Sequence, residues 1–178
     1  MPAPCLSPAG LRIRLRPWRD DDAQRLYHIA SDPELGPRAG WMPHRDTEES
    51  LSVINNFFKN DSTWAVVLKH GDTIVGCVGY LSSRHRNFPI APDEAEVGYW
   101  IAKPYWGQGL CTEALSAVVD YCRSLEDIKA LWGVHFLDNP ASGRVLEKCG
   151  FEDTLRRIQC PSLVCGADKT TRVLKLNL

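Results

Sequence analysis

Apolar and polar positions alternate with two different periods along the first third of the chain, and the periods predict strands and helices. Residues 11–17 place an apolar side chain at every second position, which is typical of a half-buried strand. Residues 20–34 start with three aspartates and then repeat apolar side chains at helical spacing, so they predict a helix. Residues 46–60 carry a capping pattern at Asp46 and Thr47 and a second apolar face, which predicts another helix. The glycine- and proline-rich residues between the two helices predict a loop.

The remaining segments predict a strand-rich second half. Two β-branched runs, 63–69 and 73–81, are separated by a His-Gly-Asp turn signal and predict a hairpin. A strand at 94–102 is followed by a helix that runs to about Ser124 with an apolar stripe along one face. The rest of the chain predicts, in order, a strand at 130–138, a helix at 139–150, and closing strands at 151–158 and 170–178.

The order strand, helix, strand between residues 95 and 137 predicts the topology of the sheet. A connection of that length implies a right-handed crossover between two parallel strands. Because hairpins flank this unit, we predict an α/β fold with a mixed sheet. The chain has 178 residues, of which 44% are hydrophobic, and this is enough for one domain covering 1–178.

Charge and hydropathy exclude two classes of partner. The 21 basic and 22 acidic residues give a net charge of -1, so we expect no nucleic acid as a main partner. No stretch approaches the roughly 20 apolar residues that span a bilayer, and the first residues lack the apolar region of a signal peptide. We therefore expect no membrane partner and a soluble, cytoplasmic protein.

The cysteine pattern indicates reduced thiols. The chain has seven cysteines, at positions 5, 77, 111, 122, 149, 160 and 165. An odd number of scattered cysteines in mostly apolar segments does not form a disulfide framework. Cys160 and Cys165 are close in sequence, but no second Cys/His pair follows at zinc-ligand spacing, so we expect no metal.

The stretch YWGQGLCTEAL, residues 105–115, carries the clearest chemical signal. Gly107 and Gly109 stand where a strand pattern gives way to a helix pattern. The first N–H groups of a helix lack intrahelical partners and attract anions, so the two glycines would let a phosphate approach the backbone. A tight strand-to-helix turn is the alternative interpretation. The third glycine of a dinucleotide fingerprint and the Gly-Lys-Ser/Thr of a P-loop are both absent.

Three linked motifs carry a family resemblance. They are EVGYWI at 96–101, YWGQGLCTEA at 105–114, and Asn139-Pro-Ala-Ser142 ahead of VLEKCGF at 145–151. With these motifs the chain resembles the GNAT superfamily of acetyl-CoA-dependent N-acetyltransferases, and more narrowly the RimJ/RimL-like branch of ribosomal-protein N-terminal acetyltransferases. The resemblance covers nearly the whole chain. It implies a central mixed, mostly antiparallel sheet with a splayed parallel strand pair and flanking helices.

The resemblance implies acetyl-CoA as cosubstrate, with its pyrophosphate at the glycine turn and helix start. Two positions depart from the family pattern there, because Trp106 stands in place of Arg or Gln and Cys111 in place of Gly or Ala. Backbone groups of 100–102 are expected to be free for pantetheine and the thioester carbonyl. The expected cofactor-binding residues are Trp100, Ile101, Ala102, Trp106, Gly107, Gln108, Gly109, Leu110, Cys111, Thr112, Asn139 and Ser142. Helix capping is the alternative role of Asn139 and Ser142.

Acetyl transfer to an amine needs a base and a group that protonates the thiolate. Glu96 shares a strand face with Gly98 and Trp100, so it is the candidate base, and an outward-facing salt-bridging role is the alternative. Many members of the resembled family have a tyrosine that protonates the thiolate, but the matching position here is Leu146. Ser142 is therefore the candidate for that role, and transfer would be direct.

The acceptor is the least determined partner. The resemblance places it opposite CoA, and Trp41, Arg84 and His85 are the candidate acceptor-binding residues. The acceptor is expected to be a protein N-terminus or a small-molecule amine. Two alternatives stay open: a CoA-binding regulatory or interaction domain without turnover, and a nucleotide-binding domain with different chemistry. Edge strands near the C-terminus could pair in a homodimer.

Overall fold

The computed structural model describes residues 2–81, 87–162, 166 and 168–178. A seven-stranded sheet with the strand order β1-β2-β3-β4-β5-β7-β6 forms its centre. The strands are β1 Ile13–Arg16, β2 Thr63–Leu68, β3 Ile74–Leu81, β4 Glu94–Ile101, β5 Ala130–Phe136, β6 Glu152–Cys160 and β7 Lys169–Asn177.

β4 and β5 are the parallel pair, and every other neighbouring pair in the sheet is antiparallel. Their register starts at Glu94 opposite Ala130 and ends at Glu96 opposite Trp132, although both strands continue beyond these residues. The two strands therefore separate over their second halves. This geometry confirms the mixed, mostly antiparallel sheet with a splayed parallel pair.

In the described part of the chain, five α-helices flank the sheet. They are α1 Ala23–Ala30, α2 Leu35–Ala39, α3 Thr47–Val53, α4 Leu110–Arg123 and α5 Pro140–Lys148. A π-helical turn, Ile54–Phe58, extends α3, and short 3-10 turns precede α1 and α4.

The prediction of a loop between the first two helices was wrong at α2. Pro37 lies in the first turn of α2, where the missing N–H of proline costs no intrahelical hydrogen bond. Gly40 then ends the helix with φ of +94°, a left-handed conformation that favours glycine. The glycine and proline content that indicated a loop thus marks the two ends of a short helix.

The sheet separates two hydrophobic cores. On one face, Leu115 and Val118 of α4 pack with Val97 of β4. On the other face, Leu26 of α1 and Ile54 belong to a core that covers the side chains of β2 and β3. Successive side chains of β4 alternate between these two faces, so one strand contributes to both sides of the molecule.

No helix in the described part of the chain combines the length and apolar character that a membrane crossing needs. Among the same residues, no group of three or more His, Cys, Asp and Glu side chains is arranged to hold a metal ion. The described cysteines are free thiols, and Cys165 lies outside the described residues.

Candidate active site

A cleft of about 1290 Å³ lies where β4 and β5 separate. Residues from both faces of the sheet line it: α2, α3 and their connection on one side, and the first turns of α4 and α5 on the other. Pockets for a single small molecule usually measure about 300–1,000 Å³. The cleft is therefore large enough for two substrates that approach from opposite faces.

The glycine turn before α4 exposes backbone N–H groups to this cleft. Gly107 and Gly109 have φ of +73° and +78°, which explains why glycine occupies both positions. The first hydrogen bond of α4 runs from the N–H of Glu113 to the carbonyl of Gly109, at 3.0 Å. The N–H groups of Leu110, Cys111 and Thr112 therefore lack acceptors within the helix and can serve an anion.

Arg12 of the segment before β1 fixes the conformation of this turn. Its Nη2 donates to the carbonyl of Gln108 at 2.6 Å, and its Nε donates to Glu113 at 2.7 Å. The Gln108 side chain donates to the carbonyl of Pro104 at 3.1 Å. Gln108, which we predicted to bind the cofactor, thus uses its amide within the turn itself.

Three other predicted cofactor-binding residues differ in which of their groups can contact a ligand. Trp106 donates its indole N–H to the carbonyl of Ile101 at 2.6 Å, and the guanidinium of Arg38 lies over its ring. Leu110 is only 2% exposed and packs in the core, so its backbone alone can reach a ligand. Burial raises the pKa of the Cys111 thiol to about 12, so this thiol stays protonated at neutral pH.

The prediction that the backbone of 100–102 is free was wrong for Ala102. Its N–H donates to Val75 at 2.7 Å, and its carbonyl accepts the N–H of Tyr105 at 2.9 Å. Hydrogen-bonded pairs alternate along antiparallel strands, so the backbone of Trp100, opposite Cys77, also faces β3.

The backbone that faces the gap belongs to Tyr99 and Ile101. Tyr99 and Ile101 alternate along β4 with Trp100 and Ala102, whose backbone groups face β3. The N–H and carbonyl groups of Tyr99 and Ile101 therefore point the other way, toward β5. No residue of β5 pairs with β4 beyond Glu96. The carbonyl of Ile101 is taken by Trp106, which leaves its N–H directed into the gap.

Tyr99 and Ser142 meet at the first turn of α5. The Tyr99 hydroxyl lies 2.9 Å from the carbonyl oxygen of Ser142 and 3.1 Å from its Oγ. Burial raises the pKa of Tyr99 above its ordinary value, so its hydroxyl stays protonated. Leu146 is fully buried, and its side chain fills the space that a Cβ at Gly133 would occupy. The position at which many members of the resembled family have a tyrosine is therefore a core position in this chain.

His135 of β5 lies on the other side of the gap from Tyr99. Its Nδ1 is 2.9 Å from the carbonyl of Phe136, and its Nε2 is buried with no hydrogen-bond partner among the described residues. A Cβ at Gly143 would lie 2.6 Å from this Nε2, so glycine is needed where α5 crosses the ring.

Asn139 joins α5 to α2 instead of capping α5. Its side-chain amide donates to the carbonyl of Arg38 at 3.2 Å, and it makes no side-chain cap bond to the helix. The capping interpretation of Asn139 was therefore wrong. Ser142 instead donates its backbone N–H to the carbonyl of Asn139 at 3.2 Å.

Glu96 is a buried carboxylate in the wall of the cleft. It is 3% exposed and accepts hydrogen bonds from the backbone N–H of Asn87, at 2.9 Å, and from its side-chain amide. Gly98, on the same face, has open space where a Cβ would stand. The outward-facing interpretation of Glu96 was wrong, and Trp100 lies two positions beyond Gly98 on this face.

Glu94, two residues before Glu96, has a different environment. It accepts hydrogen bonds from the indole N–H of Trp132 and from Lys175, both at 2.8 Å. Burial would raise its pKa, but these hydrogen bonds and the Lys175 charge lower it overall. Glu94 does not line the cleft.

Aromatic rings line the cleft on the α2–α3 side. Trp41 meets Trp100 edge to face at 6.2 Å between ring centroids and lies 5.5 Å from the ring of His44. His44 Nδ1 is 2.8 Å from the hydroxyl of the buried Ser50. Burial lowers the pKa of His44, although the nearby Glu49 charge opposes this change, so burial favours the neutral form of its ring.

The apolar character of this side continues through Met42, which lines the cleft and is 55% exposed. Arg84 and His85, the other predicted acceptor-binding residues, lie outside the described residues. Sequence reasoning placed His44 in a loop that lines the acceptor side, but it missed Tyr99 and Arg12. Of these residues, only Tyr99 had a sequence signal. The alternation along β4 places it on the face opposite Gly98 and Trp100, which is the face of α4 and α5 where the cofactor is expected.

Comparison with known proteins finds similarity to acetyltransferases. The profile of the acetyltransferase (GNAT) domain matches residues 12–152. YoaA of Bacillus subtilis (strain 168), named an uncharacterized N-acetyltransferase, is 30% identical over 148 residues, which cover 79% of this chain and 80% of YoaA. The ribosomal protein uS5-alanine N-acetyltransferase of Escherichia coli (strain K12) is 29% identical over 153 residues, which cover 79% and 75% of the two chains.

A solved structure shows the same fold. The crystal structure of microcin C7 self immunity acetyltransferase MccE, in complex with acetyl-CoA and AMP, matches with a TM-score of 0.77 and 21% identity over 97% of this chain and 98% of MccE. The domain profile, together with relatives of about 30% identity over most of the chain, determines the family. This chain belongs to the GNAT acetyltransferase family and is an acetyl-CoA-dependent N-acetyltransferase.

Proposed function

We propose that this enzyme transfers the acetyl group of acetyl-CoA directly to the N-terminal amine of a peptide or protein. The observation that carries the proposal is the cleft. The unpaired N–H groups at the start of α4 face it from one side of the sheet, and the buried carboxylate of Glu96 lines it on the other. Acetyl-CoA and acceptor can then be bound together, so no acetylated enzyme is required.

The cofactor would occupy the α4–α5 face. The N–H groups of Leu110, Cys111 and Thr112 would bind the pyrophosphate, because a helix N-terminus favours negative charge. The pantetheine arm would lie in the gap between β4 and β5 and pair with the backbone of Tyr99 and Ile101. When bound, acetyl-CoA supplies the activated acetyl thioester.

Glu96 would act as the base on the opposite face. The ammonium of the acceptor must lose a proton before its nitrogen can form the new bond to the acetyl carbon. The Glu96 carboxylate lies in the cleft wall beside the open space at Gly98, where an amine can approach. A positioned base of this kind typically contributes about 100- to 10,000-fold to the rate.

The walls of the acceptor side favour a peptide over a polyamine. Of the described carboxylates that line the cleft, Glu49 binds Arg45, Glu96 accepts hydrogen bonds from Asn87, and Asp61 is the third. A polyamine needs several anionic partners, whereas Trp41 offers a flat apolar surface of the kind that packs against a peptide side chain. We therefore propose an acceptor whose first residue has an apolar side chain.

Two further proposals concern the whole chain. We propose that residues 1–178 fold as one domain, because Ala3 and Leu174 belong to the same hydrophobic core. The described cysteines are free thiols, which favours a reducing compartment, and we propose the cytoplasm as the place of action.

Calorimetry with acetyl-CoA, CoA, ATP and NAD, followed by an acceptor screen, tests the proposal. We expect acetyl-CoA and CoA to bind, peptides with an apolar first residue to be acetylated faster than spermidine, and initial rates to follow a ternary-complex pattern. Binding of ATP or NAD without CoA would overturn the proposal. Binding of CoA without transfer to any amine would favour the regulatory or interaction alternative.

A further inference from the structure

We propose that Tyr99 is a positioning residue that makes the Ser142 hydroxyl a hydrogen-bond donor to the sulfur of departing CoA. This inference rests on the proposed function, because it assigns Tyr99 as the hydrogen-bond partner of Ser142, whose hydroxyl would donate to the leaving thiolate. Tyr99 comes from β4 and Ser142 from α5, so the two residues join the two elements that enclose the α5 side of the gap.

The hydroxyl of Tyr99 can donate a hydrogen bond to either oxygen of Ser142. It lies 2.9 Å from the carbonyl oxygen and 3.1 Å from Oγ, so a rotation about the phenol C–O bond moves its single proton between them. When the proton is on the carbonyl, the Ser142 hydroxyl can donate back to the Tyr99 oxygen. When the proton is on Oγ, the Ser142 hydrogen is released toward the cleft, where a sulfur can accept it.

The other groups on this face are less suited to the leaving sulfur. Leu146 has no polar atom and is fully buried. Cys111 is a protonated thiol and a weak donor. His135 uses Nδ1 at the carbonyl of Phe136, and its Nε2 is enclosed against Gly143. Compared with these three groups, the paired hydroxyls of Tyr99 and Ser142 are the stronger neutral donors beside the first turn of α5.

The pair stabilises charge without losing a proton. As the amine nitrogen bonds to the acetyl carbon, the C–S bond breaks, its electron pair stays on sulfur as a thiolate, and the proton that the nitrogen then loses passes to water. Ser142 and Tyr99 both keep their protons, since burial raises the pKa of Tyr99 and a serine hydroxyl is a weak acid. A hydroxyl that accepts one hydrogen bond while donating another becomes a stronger donor, so Tyr99 strengthens the bond from Ser142 to sulfur.

Variants of the two residues test this coupling. Tyr99→Phe removes the hydroxyl and keeps the ring, and Ser142→Ala removes the acceptor. We expect each variant to lower kcat by about tenfold to a hundredfold, with a smaller change in KM for acetyl-CoA, in line with the loss of one charge-stabilising donor. The double variant should be no slower than Ser142→Ala alone, because Tyr99 acts through Ser142.

Tyr121→Phe is the matched control. Tyr121 packs on Trp64 in the same core and does not line the cleft, so loss of its hydroxyl should leave kcat unchanged. Melting temperatures of all variants within a few degrees of the parent protein would exclude unfolding as the cause. Full kcat in Tyr99→Phe, or a double variant slower by the product of the two single effects, would overturn the proposal.

A spectroscopic titration separates this role from packing. The thiolate of bound CoA absorbs in the ultraviolet, so its ionisation can be followed with pH. We expect bound CoA to ionise at lower pH in the parent protein than in Tyr99→Phe or Ser142→Ala, and equal titrations in all three would overturn the inference. This measurement needs no acceptor, so it distinguishes failure of the Tyr99 inference from failure of the proposed acceptor chemistry.

Discussion

Glu96 and Asn87 are joined twice, once through the backbone N–H of Asn87 and once through its side-chain amide. The carboxylate that lines the cleft therefore also holds the start of the segment that leads into β4. Glutamine at position 96 keeps an oxygen that accepts one of these bonds but cannot take a proton.

We predict that Glu96→Gln binds acetyl-CoA with unchanged affinity and loses about 100-fold or more in kcat. Calorimetry and steady-state rates measure the two quantities. Glu94→Gln is the control, because Glu94 is bound to Lys175 outside the cleft and its loss should leave kcat unchanged. Equal effects of the two substitutions would contradict the assignment of Glu96 as the base.

The glycine turn gives a second prediction with a control of matched backbone geometry. Gly109 and Gly71 have φ of +78° and +80°, so a side chain at either position costs about 1–2 kcal/mol of strain. We predict that Gly109→Asp raises the Kd of CoA by about tenfold or more through repulsion of the phosphates, and that Gly71→Asp does not. Similar losses of CoA affinity in both variants would mean that strain, and not the site, is responsible.

Trp41 is expected to act on the acceptor alone. Trp41→Ala should raise KM for a peptide acceptor by about three- to tenfold, which corresponds to loss of one aromatic contact, and leave the Kd of acetyl-CoA unchanged. Trp41→Phe should restore part of the acceptor affinity. A rise in the Kd of acetyl-CoA as large as the rise in acceptor KM would show that Trp41 supports the cleft as a whole.

The raised pKa values of two partly buried thiols predict transfer without a cysteine nucleophile. Burial raises the pKa of both Cys111 and Cys149, in the case of Cys111 to about 12. At neutral pH we predict slow modification of these two thiols by a disulfide reagent and rapid modification of the exposed Cys5, with all three reacting in denaturant. Mass spectrometry of enzyme mixed with acetyl-CoA alone should find no acetylated cysteine, and a stoichiometric adduct would contradict direct transfer.

Asp153 predicts how stability depends on acid. Partial burial would raise its pKa, but hydrogen bonds from Arg157 and Arg172 lower it from 3.8 to about 2. A carboxyl with a lower pKa in the folded than in the unfolded protein stabilises the fold above about pH 4, and this contribution is lost as the pH falls toward 2.

Asp153→Asn should therefore be less stable than the parent protein at pH 6, and the difference in the free energy of unfolding should shrink between pH 4 and pH 2. Urea unfolding at several pH values measures this difference. If the difference in the free energy of unfolding stayed constant between pH 4 and pH 2, the effect would come from packing and not from the charge of Asp153.

The sequence predicted those parts of the fold and site that depend on local periodicity. Gly107 and Gly109 were found because glycines between a strand and a helix indicate a tight turn or close approach of a ligand to the backbone, and Glu96 because a strand alternates its faces. Tyr99 was missed because the same alternation assigns it to the helix-covered face, which is also the core. The bond from Asn139 to Arg38 joins residues 101 positions apart, and no local pattern encodes such a contact.

Ala102 shows a second limit of local patterns. The strand pattern correctly predicts extended backbone up to this residue. Its hydrogen bonds, however, depend on the register with β3 and on the 3-10 turn Lys103–Tyr105 that follows. Periodicity identifies which side chains share a face, but not which backbone groups remain unpaired.

The separation of β4 and β5 leaves an unfilled strand position in the middle of the sheet. A pantetheine arm that occupied this position would link the β1–β4 half of the sheet to the β5–β7 half, as a bound ligand that completes the architecture. The rigidity of the enzyme would then depend on the concentration of its cofactor. The CoA-free protein would be the form most susceptible to proteolysis near the space between β4 and β5.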